Sequence, residues 1–280
     1  MRRESPSRWR LLDTGPADGF TNMAIDEAIL DTYAVEGGLP TLRFYTWSPP
    51  TLSLGYGQTI QSDIDFAQCQ ARGIDVVRRP TGGRAVLHDH EVTYSLVISA
   101  NDARVTTGIL AAYLTISQAL IRGLSYLGIT AELLPLRRGI PPSSDKASPI
   151  CFATPSSYEV AVEGRKIIGS AQRRAHGVIM QHGSIPLSWN LECMRAVFGR
   201  SSFGSRSVQG QTDYRLQMTS LQEAGGRTYD YAEVVTALTR GVAESWEVDL
   251  LPSQLTAAER ELSAHLCTTK YRSEAWTWHR

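Results

Sequence analysis

Residues 78–89 read RRPTGGRAVLHD and follow a short apolar run at 74–77 that is typical of a β-strand. The adjacent glycines Gly82 and Gly83 allow positive φ and a close approach of the backbone to a bound molecule. Arginines beside such a backbone suit a ligand with an anionic or carbonyl oxygen. Taken alone, the stretch is consistent with a phosphate cradle or with a hairpin turn whose arginines are solvated.

The composition is that of an ordinary globular protein. The chain has 280 residues, 42% hydrophobic and 20% charged, and both Lys plus Arg and Asp plus Glu total 28. A net charge of zero gives no support for binding to nucleic acid or to a membrane surface. The sequence shows no apolar run near the roughly 18 residues of a membrane span and no secretory signal. Four widely spaced cysteines favour reduced thiols in the cytoplasm over disulfides or structural zinc.

Short strands alternate with helices along the chain. The pattern predicts helices from residue 22, over 106–127 with Gly128 as its C-cap, and from a capping box at Thr256 and Glu259. A short helix is expected over 63–72, capped by Ser62 or Asp63. The arrangement predicts an α+β fold with mixed and antiparallel sheets flanked by helices. We expect a catalytic domain over 1–250 and a helical C-terminal extension over 251–280.

Two strands, 157–162 and 166–170, are expected to form a hairpin around residues 163–165. Lys166 then lies beside the turn, while Cys151 precedes the hairpin at the end of a loop rich in proline and serine. A nearby ammonium raises the thiolate fraction of a cysteine and makes it a competent nucleophile. The loop must fold back for the two to meet. The alternatives are a buried structural cysteine and a solvated lysine.

Other chemistries find little support in the sequence. No cysteine or carboxylate cluster at ligand spacing surrounds His88 and His90, so no metal site is predicted. The G-x-S-x-G, G-x-x-x-x-G-K-[ST] and G-x-G-x-x-G patterns do not occur. A further strand is expected over 177–187, with a bend at His182 and Gly183.

Three blocks occur in a fixed order, RRPTGGRAVLHD at 78–89, GRKIIGSAQRR at 164–174 and QHGSIPL at 181–187. They resemble the signature blocks of the lipoate/biotin protein ligase and octanoyltransferase superfamily. The segments NMAIDEAIL at 22–30, LRFYTWSPPTLSLGYGQ at 42–58 and VTYSLVIS at 92–99 fit the same pattern. The resemblance covers about residues 9–250 and implies a biotin/lipoate protein ligase-like catalytic fold.

Two departures from the ligase pattern resemble the cysteine-dependent octanoyltransferases of the LipM type. Arg84 replaces a third glycine, and CFATPSSYE at 151–159 replaces an Arg-Asn-Asp element. The resemblance implies that Cys151 accepts octanoyl from octanoyl-acyl carrier protein as a thioester. The acyl group then passes to a lysine of a lipoyl domain, such as the glycine cleavage H protein. Lys166 would lower the pKa of the Cys151 thiol and hydrogen-bond the acyl carbonyl.

The same resemblance assigns acyl-binding roles to a set of residues, which are Arg79, Gly82, Gly83, Arg84, His88, Gly169, Ser170, Ala171, His182 and Gly183. It implies no cofactor, because transfer from one thioester to another is nearly energy-neutral. Carrier proteins of this family are acidic, so a basic rim is expected at Arg137, Arg138, Arg173 and Arg174. A monomer is expected for an enzyme that exchanges carriers.

Three other functions stay open at this point. An ATP-dependent lipoate ligase is kept open by KYRSEAW at 270–276, which resembles a motif of ligase accessory domains. An octanoyl amidotransferase acting between lipoyl domains is a close relative of the transferase. A non-catalytic lipoyl- or biotin-binding module is the third.

Overall fold

The computed structural model describes residues 7–60, 64–105, 108–135, 158–198, 207–208, 211–212 and 217–279. The strands are β1 (Ser7–Ala17), β2 (Thr41–Trp47), β3 (Thr51–Leu54), β4 (Asp75–Arg78), β5 (Val86–His88), β6 (Glu91–Ser99), β7 (Glu132–Pro135), β8 (Tyr158–Val162), β9 (Arg165–Ala175), β10 (Val178–Pro186), β11 (Ser207–Val208), β12 (Gln211–Thr212) and β13 (Val248–Pro252). The helices are α1 (Gly19–Glu36), α2 (Phe66–Ala71), α3 (Ile109–Tyr126), α4 (Leu191–Phe198), α5 (Leu221–Gly225), α6 (Tyr231–Trp246), α7 (Ala257–Leu266) and α8 (Glu274–Thr277), with a π-helical turn at Cys267–Tyr271.

The described strands form three sheets, of which two organise the fold and the third is the short pair β11-β12. The large one has the strand order β13-β1-β2-β6-β10-β9-β8-β7, in which β1 pairs in parallel with β2 and β13 while the later strands pair antiparallel. The small one has the order β4-β3-β5, with one parallel and one antiparallel pair. The predicted α+β fold with mixed sheets and flanking helices is confirmed.

The large sheet buries a different kind of side chain on each face, because neighbouring residues of a strand point to opposite sides. One face carries apolar side chains such as Phe44 and Tyr94 into the main core, together with residues of α3 and α6. These helices cross closely, since a Cβ built on Gly241 would lie 2.3 Å from the backbone nitrogen of Gly123. The opposite face combines buried polar groups such as Arg43 with apolar side chains such as Val97 and Met180, which pack against α1.

Several local predictions are confirmed by the backbone. Gly128 follows α3 with φ 78°, as a C-cap glycine should. Thr256 and Glu259 form the predicted capping box of α7. The hairpin closes on Glu163 and Gly164, whose φ angles of 50° and 76° fit a two-residue turn of type I′.

Two local predictions are wrong. Helix α2 is capped by Asp65, whose carboxylate accepts from the Gln68 amide, because the helix begins later than the polar residues before it suggest. Strand β10 continues through His182 and Gly183 without a bend, since both residues keep their pairing with β6 and β9. A glycine inside a strand can mark a close approach instead of a turn.

The segment after β13 packs back onto the rest of the chain. Tyr271 is fully buried and donates its hydroxyl to Glu27 of α1 at 2.8 Å. The Trp276 indole N–H donates to the Arg78 carbonyl at 2.8 Å, and the Arg78 guanidinium donates to the Thr277 carbonyl at 3.0 Å. The predicted boundary at residue 250 falls inside β13, which pairs with β1. None of the described helices combines the length and the apolar character needed to cross a bilayer.

Candidate active site

A cavity of about 360 Å³, including its open mouth, lies between the small sheet and the face of the large sheet that carries Arg43. Seven of the ten predicted acyl-binding residues line it, which are Arg79, His88, Gly169, Ser170, Ala171, His182 and Gly183. The other lining residues are Met23, Tyr45, Trp47, Ser53, Val86, Thr93 and Ser184.

The register of the large sheet sets the direction of this wall. Tyr45, Thr93, Ser184 and Gly169 are paired in one row across four adjacent strands. Three strand intervals make this row about 14 Å long. The row therefore provides a wall across which an extended chain can lie.

A buried chain of hydrogen bonds fixes His182 in this wall. Its Nδ1 lies 3.0 Å from Asp26 Oδ2, and its Nε2 lies 2.6 Å from Thr81 Oγ1. A carboxylate only accepts, so Nδ1 carries the proton and Nε2 accepts from the Thr81 hydroxyl. Asp26 also accepts from Arg43 at 2.7 Å and from Tyr45 at 2.9 Å. The predicted block at 78–89 is thereby connected to α1 and β10.

Burial and neighbouring charges set the protonation of this pair. Burial lowers the pKa of His182 below its usual 6.5, and Arg79 and His88 lower it further, against the opposing effect of Asp26. Burial alone would raise the pKa of Asp26, but Arg43 and the hydrogen bond from His182 outweigh it, so that this pKa lies below 3.8. The imidazole is therefore neutral beside an ionised carboxylate.

His88 is held in the same manner from the small sheet. Its Nδ1 lies 2.7 Å from Glu91 Oε1 and its Nε2 lies 2.8 Å from Ser53 Oγ. The imidazole stacks on the Trp47 ring with centroids 4.0 Å apart. Glu91 also accepts from the Trp47 indole, from Thr93 and from Ser184. Because these polar atoms hydrogen-bond to one another, carbon surfaces can face the cavity.

The Arg79 side chain lines the cavity and hydrogen-bonds to the backbone of the glycine turn. Its guanidinium donates to the carbonyls of Gly82 at 2.7 Å and Arg84 at 2.8 Å, and to Ser53 on β3. Gly82 and Gly83 are exposed and, with Arg84, lie outside the residues that line the cavity. Gly83 has φ 96°, and a Cβ on Gly55 would lie 1.9 Å from its carbonyl oxygen, so the turn packs against β3.

Gly183 permits a contact on which the cavity wall depends. A Cβ at this position would lie 2.6 Å from both Tyr94 Cε1 and Ser170 Oγ, and 2.8 Å from the Gly169 carbonyl. The Tyr94 hydroxyl and Ser170 Oγ are 2.8 Å apart across this gap. The glycine therefore lets β9, β10 and the Tyr94 ring come together.

A β-bulge directs Lys166 toward the cavity face. Lys166 lies opposite Ala161 and Ile168 lies opposite Val160, so Ile167 is an extra residue on β9. The extra residue places Lys166 on the same face as Gly169, which lines the cavity about 10 Å further along the strand. The Lys166 side chain is 3% exposed, and its Nζ donates to Glu159 at 2.8 Å. Lys166 is not one of the residues that line the cavity, but a buried ammonium on this face of the sheet can hydrogen-bond an acyl carbonyl or stabilise a thiolate.

Some predicted residues are placed elsewhere or not described. Cys151, Arg137 and Arg138 lie outside the described residues. Arg173 pairs with Glu27 at 2.5 Å, and Arg174 donates to the Gly108 carbonyl at 2.8 Å. Within the described ranges, His, Cys, Asp and Glu side chains form no group of three that could hold a metal ion.

Sequence reasoning missed the carboxylates that hold the site. Asp26 stands among the apolar residues of the inner face of α1, and an acid in that position signals a buried partner. Glu91 follows His88 by three positions, but a strand boundary lies between them, so spacing alone did not connect the two. Glu159 is two positions from Ala161, which lies opposite Lys166, so only the register of the hairpin shows that the two are neighbours.

Comparison with known proteins adds a family to this geometry. Residues 18–243 match the lipoyl protein ligase A/B catalytic domain. The chain is 41% identical to octanoyltransferase LipM of Carboxydothermus hydrogenoformans, over 96% of this chain and 97% of that protein. It is 42% identical to octanoyltransferase LipM of Kyrpidia tusciae, over 97% and 99%.

Solved structures share the fold. Lipoate-protein ligase A bound with ATP superposes with a TM-score of 0.76 at 25% identity, over 97% of this chain and 98% of that one. The bipartite lipoate protein ligase of Thermoplasma acidophilum gives 0.75 at 25% identity, over 97% and 96%.

Proposed function

The chain belongs to the lipoyl protein ligase A/B catalytic domain family and is an octanoyltransferase of lipoate biosynthesis, and from this premise we propose its donor, acceptor and intermediate. The donor is octanoyl-acyl carrier protein. Cys151 takes the octanoyl group as a thioester, and a lysine of a lipoyl domain, such as the glycine cleavage H protein, receives it as an amide. The protein acts without a cofactor.

The position of Lys166 carries this proposal. Its buried ammonium is on the face that forms the cavity, where it can stabilise a nearby thiolate and donate to the oxygen of an acyl carbonyl. The cavity wall of glycines, Ala171, Val86 and Met23 suits a saturated chain. Arg79, His88 and His182 shape this wall through their hydrogen bonds.

Two half-reactions follow from a cysteine intermediate. In the first, the Cys151 thiolate attacks the donor thioester and releases the carrier thiol. In the second, the neutral amine of the acceptor lysine attacks the enzyme thioester, loses a proton and releases the Cys151 thiol. Each half-reaction needs one carrier protein at a time, so the two carriers never have to bind together.

Capture of the acyl-enzyme tests the mechanism. We expect octanoyl-acyl carrier protein to give an octanoyl mass gain on the protein that hydroxylamine removes, and Cys151→Ala to abolish both this gain and transfer. Full transfer by Cys151→Ala would falsify the thioester. Cys193→Ala, at a cysteine that is buried on α4 and is not one of the residues lining the cavity, is the matched control.

An ATP-dependent lipoate ligase is the second candidate, because a ligase that binds ATP shares the fold over nearly the whole chain. Arg84, at the position where the ligase pattern has a third glycine, favours the transferase. The same assay with free lipoate and ATP distinguishes the two, since a ligase forms lipoyl-adenylate. A third arm with an octanoylated lipoyl domain as donor identifies an amidotransferase.

A further inference from the structure

Glu159 faces the lysine that the proposed function requires. Lys166 Nζ donates to Glu159 Oε1 at 2.8 Å, and the two side chains are 3% and 15% exposed. Glu159 precedes Ala161 by two positions on β8, and Ala161 lies opposite Lys166, so all three point to one face. Glu159 and Lys166 therefore share a face through the pairing of Ala161 with Lys166, and the bulge at Ile167 brings Gly169 to that same face.

The backbone of Lys166 is fixed from its other side. Its amide donates to the Gln217 carbonyl at 2.9 Å, and its carbonyl accepts from the Thr219 amide at 2.8 Å. These bonds hold the Cα, but four rotatable bonds separate it from the ammonium. Positioning of Nζ therefore requires a contact at the end of the side chain.

A carboxylate is suited to this task for two reasons. A buried ammonium is costly unless a counter-charge accompanies it, and Glu159 supplies that charge. An ammonium also has three protons at tetrahedral angles. When one N–H bond points at Glu159, rotation about the Cε–Nζ bond of Lys166 is fixed, and so are the directions of the other two N–H bonds.

We propose that Glu159 is a positioning residue for acyl transfer, which pairs with the Lys166 ammonium and directs it at the reacting thioester. This inference rests on the proposed function, in which Lys166 contacts the acyl carbonyl. In this proposal Glu159 acts through Lys166. Its removal should therefore slow the chemical steps and leave binding of the donor unchanged.

The test compares Glu159→Gln with Glu163→Gln in steady-state transfer from octanoyl-acyl carrier protein. Glu163 belongs to the same hairpin, but its side chain is 80% exposed and pairs with Arg165 at the surface. We expect Glu159→Gln to lower kcat about 10- to 100-fold, the worth of a hydrogen bond to a charged group, with KM within about twofold of wild type. Glu163→Gln should retain the wild-type kcat and KM.

Glu159→Asp separates positioning by charge from a packing role. Asp keeps the charge with one methylene fewer, so its kcat should lie between those of wild type and Glu159→Gln. An unchanged kcat in Glu159→Gln overturns the inference, as does a Glu159→Asp variant as slow as Glu159→Gln. The inference is also overturned if the fall in kcat/KM of Glu159→Gln comes entirely from a higher KM. If the wild type itself forms no acyl-enzyme, the proposed function fails. That result is distinct from an unchanged kcat in Glu159→Gln, which overturns only the role of Glu159.

Discussion

The cavity wall depends on Gly183, because the absence of a Cβ at this position leaves room for Tyr94 and Ser170. Gly183→Ala places a Cβ inside contact distance of Tyr94 and Ser170, and the Tyr94 ring is held in a filled core. We expect the free energy of unfolding to fall by about 1–3 kcal/mol and transfer to slow, because the wall must widen. Urea unfolding measures the first effect. Gly82→Ala is the control, since a Cβ there meets no atom within 4 Å, and an equal loss in both variants would contradict the explanation.

His182 gives the fold a dependence on pH that can be measured. Its pKa in the folded protein lies below the 6.5 of the unfolded chain, because burial disfavours the imidazolium. The unfolded state then binds the extra proton first, so this contribution to stability is complete above pH 6.5 and is lost as pH falls below it. We expect the free energy of unfolding to decrease on acidification below 6.5, and His182→Gln to reduce that slope. His90→Gln, at a mostly exposed side chain, should keep the wild-type slope.

The hairpin of β8 and β9 allows a stabilising substitution at the scale of an element. Glu163 has φ 50° in a type I′ turn, a conformation in which asparagine is favoured before glycine. Its exposed pair with Arg165 contributes little. We therefore expect Glu163→Asn to raise the free energy of unfolding by about 0.5 kcal/mol, and Gly164→Ala, at φ 76°, to lower it by about 1 kcal/mol. Chemical denaturation of the two variants checks both signs, and a loss in Glu163→Asn would contradict the turn assignment.

The elements also show what a sequence can and cannot predict. Residues 106–127 and the capping box at Thr256 were predictable because helix periodicity and caps depend on neighbours along the chain. Histidines 88 and 182 were found through the motif blocks. The bulge at Ile167 and the pairing of Glu159 with Lys166 were not, since a register depends on which strands meet. The continuous pairing of β10 could not be predicted for the same reason, because Gly183 is required by its contact with Tyr94, which is 89 positions away (183−94).

At the scale of the molecule, Trp276 connects the last helix to the glycine block. Its indole N–H donates to the Arg78 carbonyl, and the Lys270 ammonium lies 4.0 Å from its ring centroid. We expect Trp276→Ala to lower the free energy of unfolding by about 3 kcal/mol. Trp278→Ala, at a side chain that is 40% exposed, should lower it much less.

Circular dichroism and fluorescence should report one shared transition, because the segment from α7 onward packs on α1. Two separate transitions would instead support 251–280 as an independent unit.

The pairing of β1 with β13 has a consequence for synthesis on the ribosome. Arg8 lies opposite Asp249, and the Arg78 guanidinium reaches the Thr277 carbonyl, so both partners are translated long after the groups that need them. Until then, the nascent chain exposes the outer edge of a strand and a cation that the finished protein buries. Contacts of such sequence separation slow folding, and an open edge invites pairing with another chain. The newly made enzyme should therefore depend on chaperones for longer than its size alone implies.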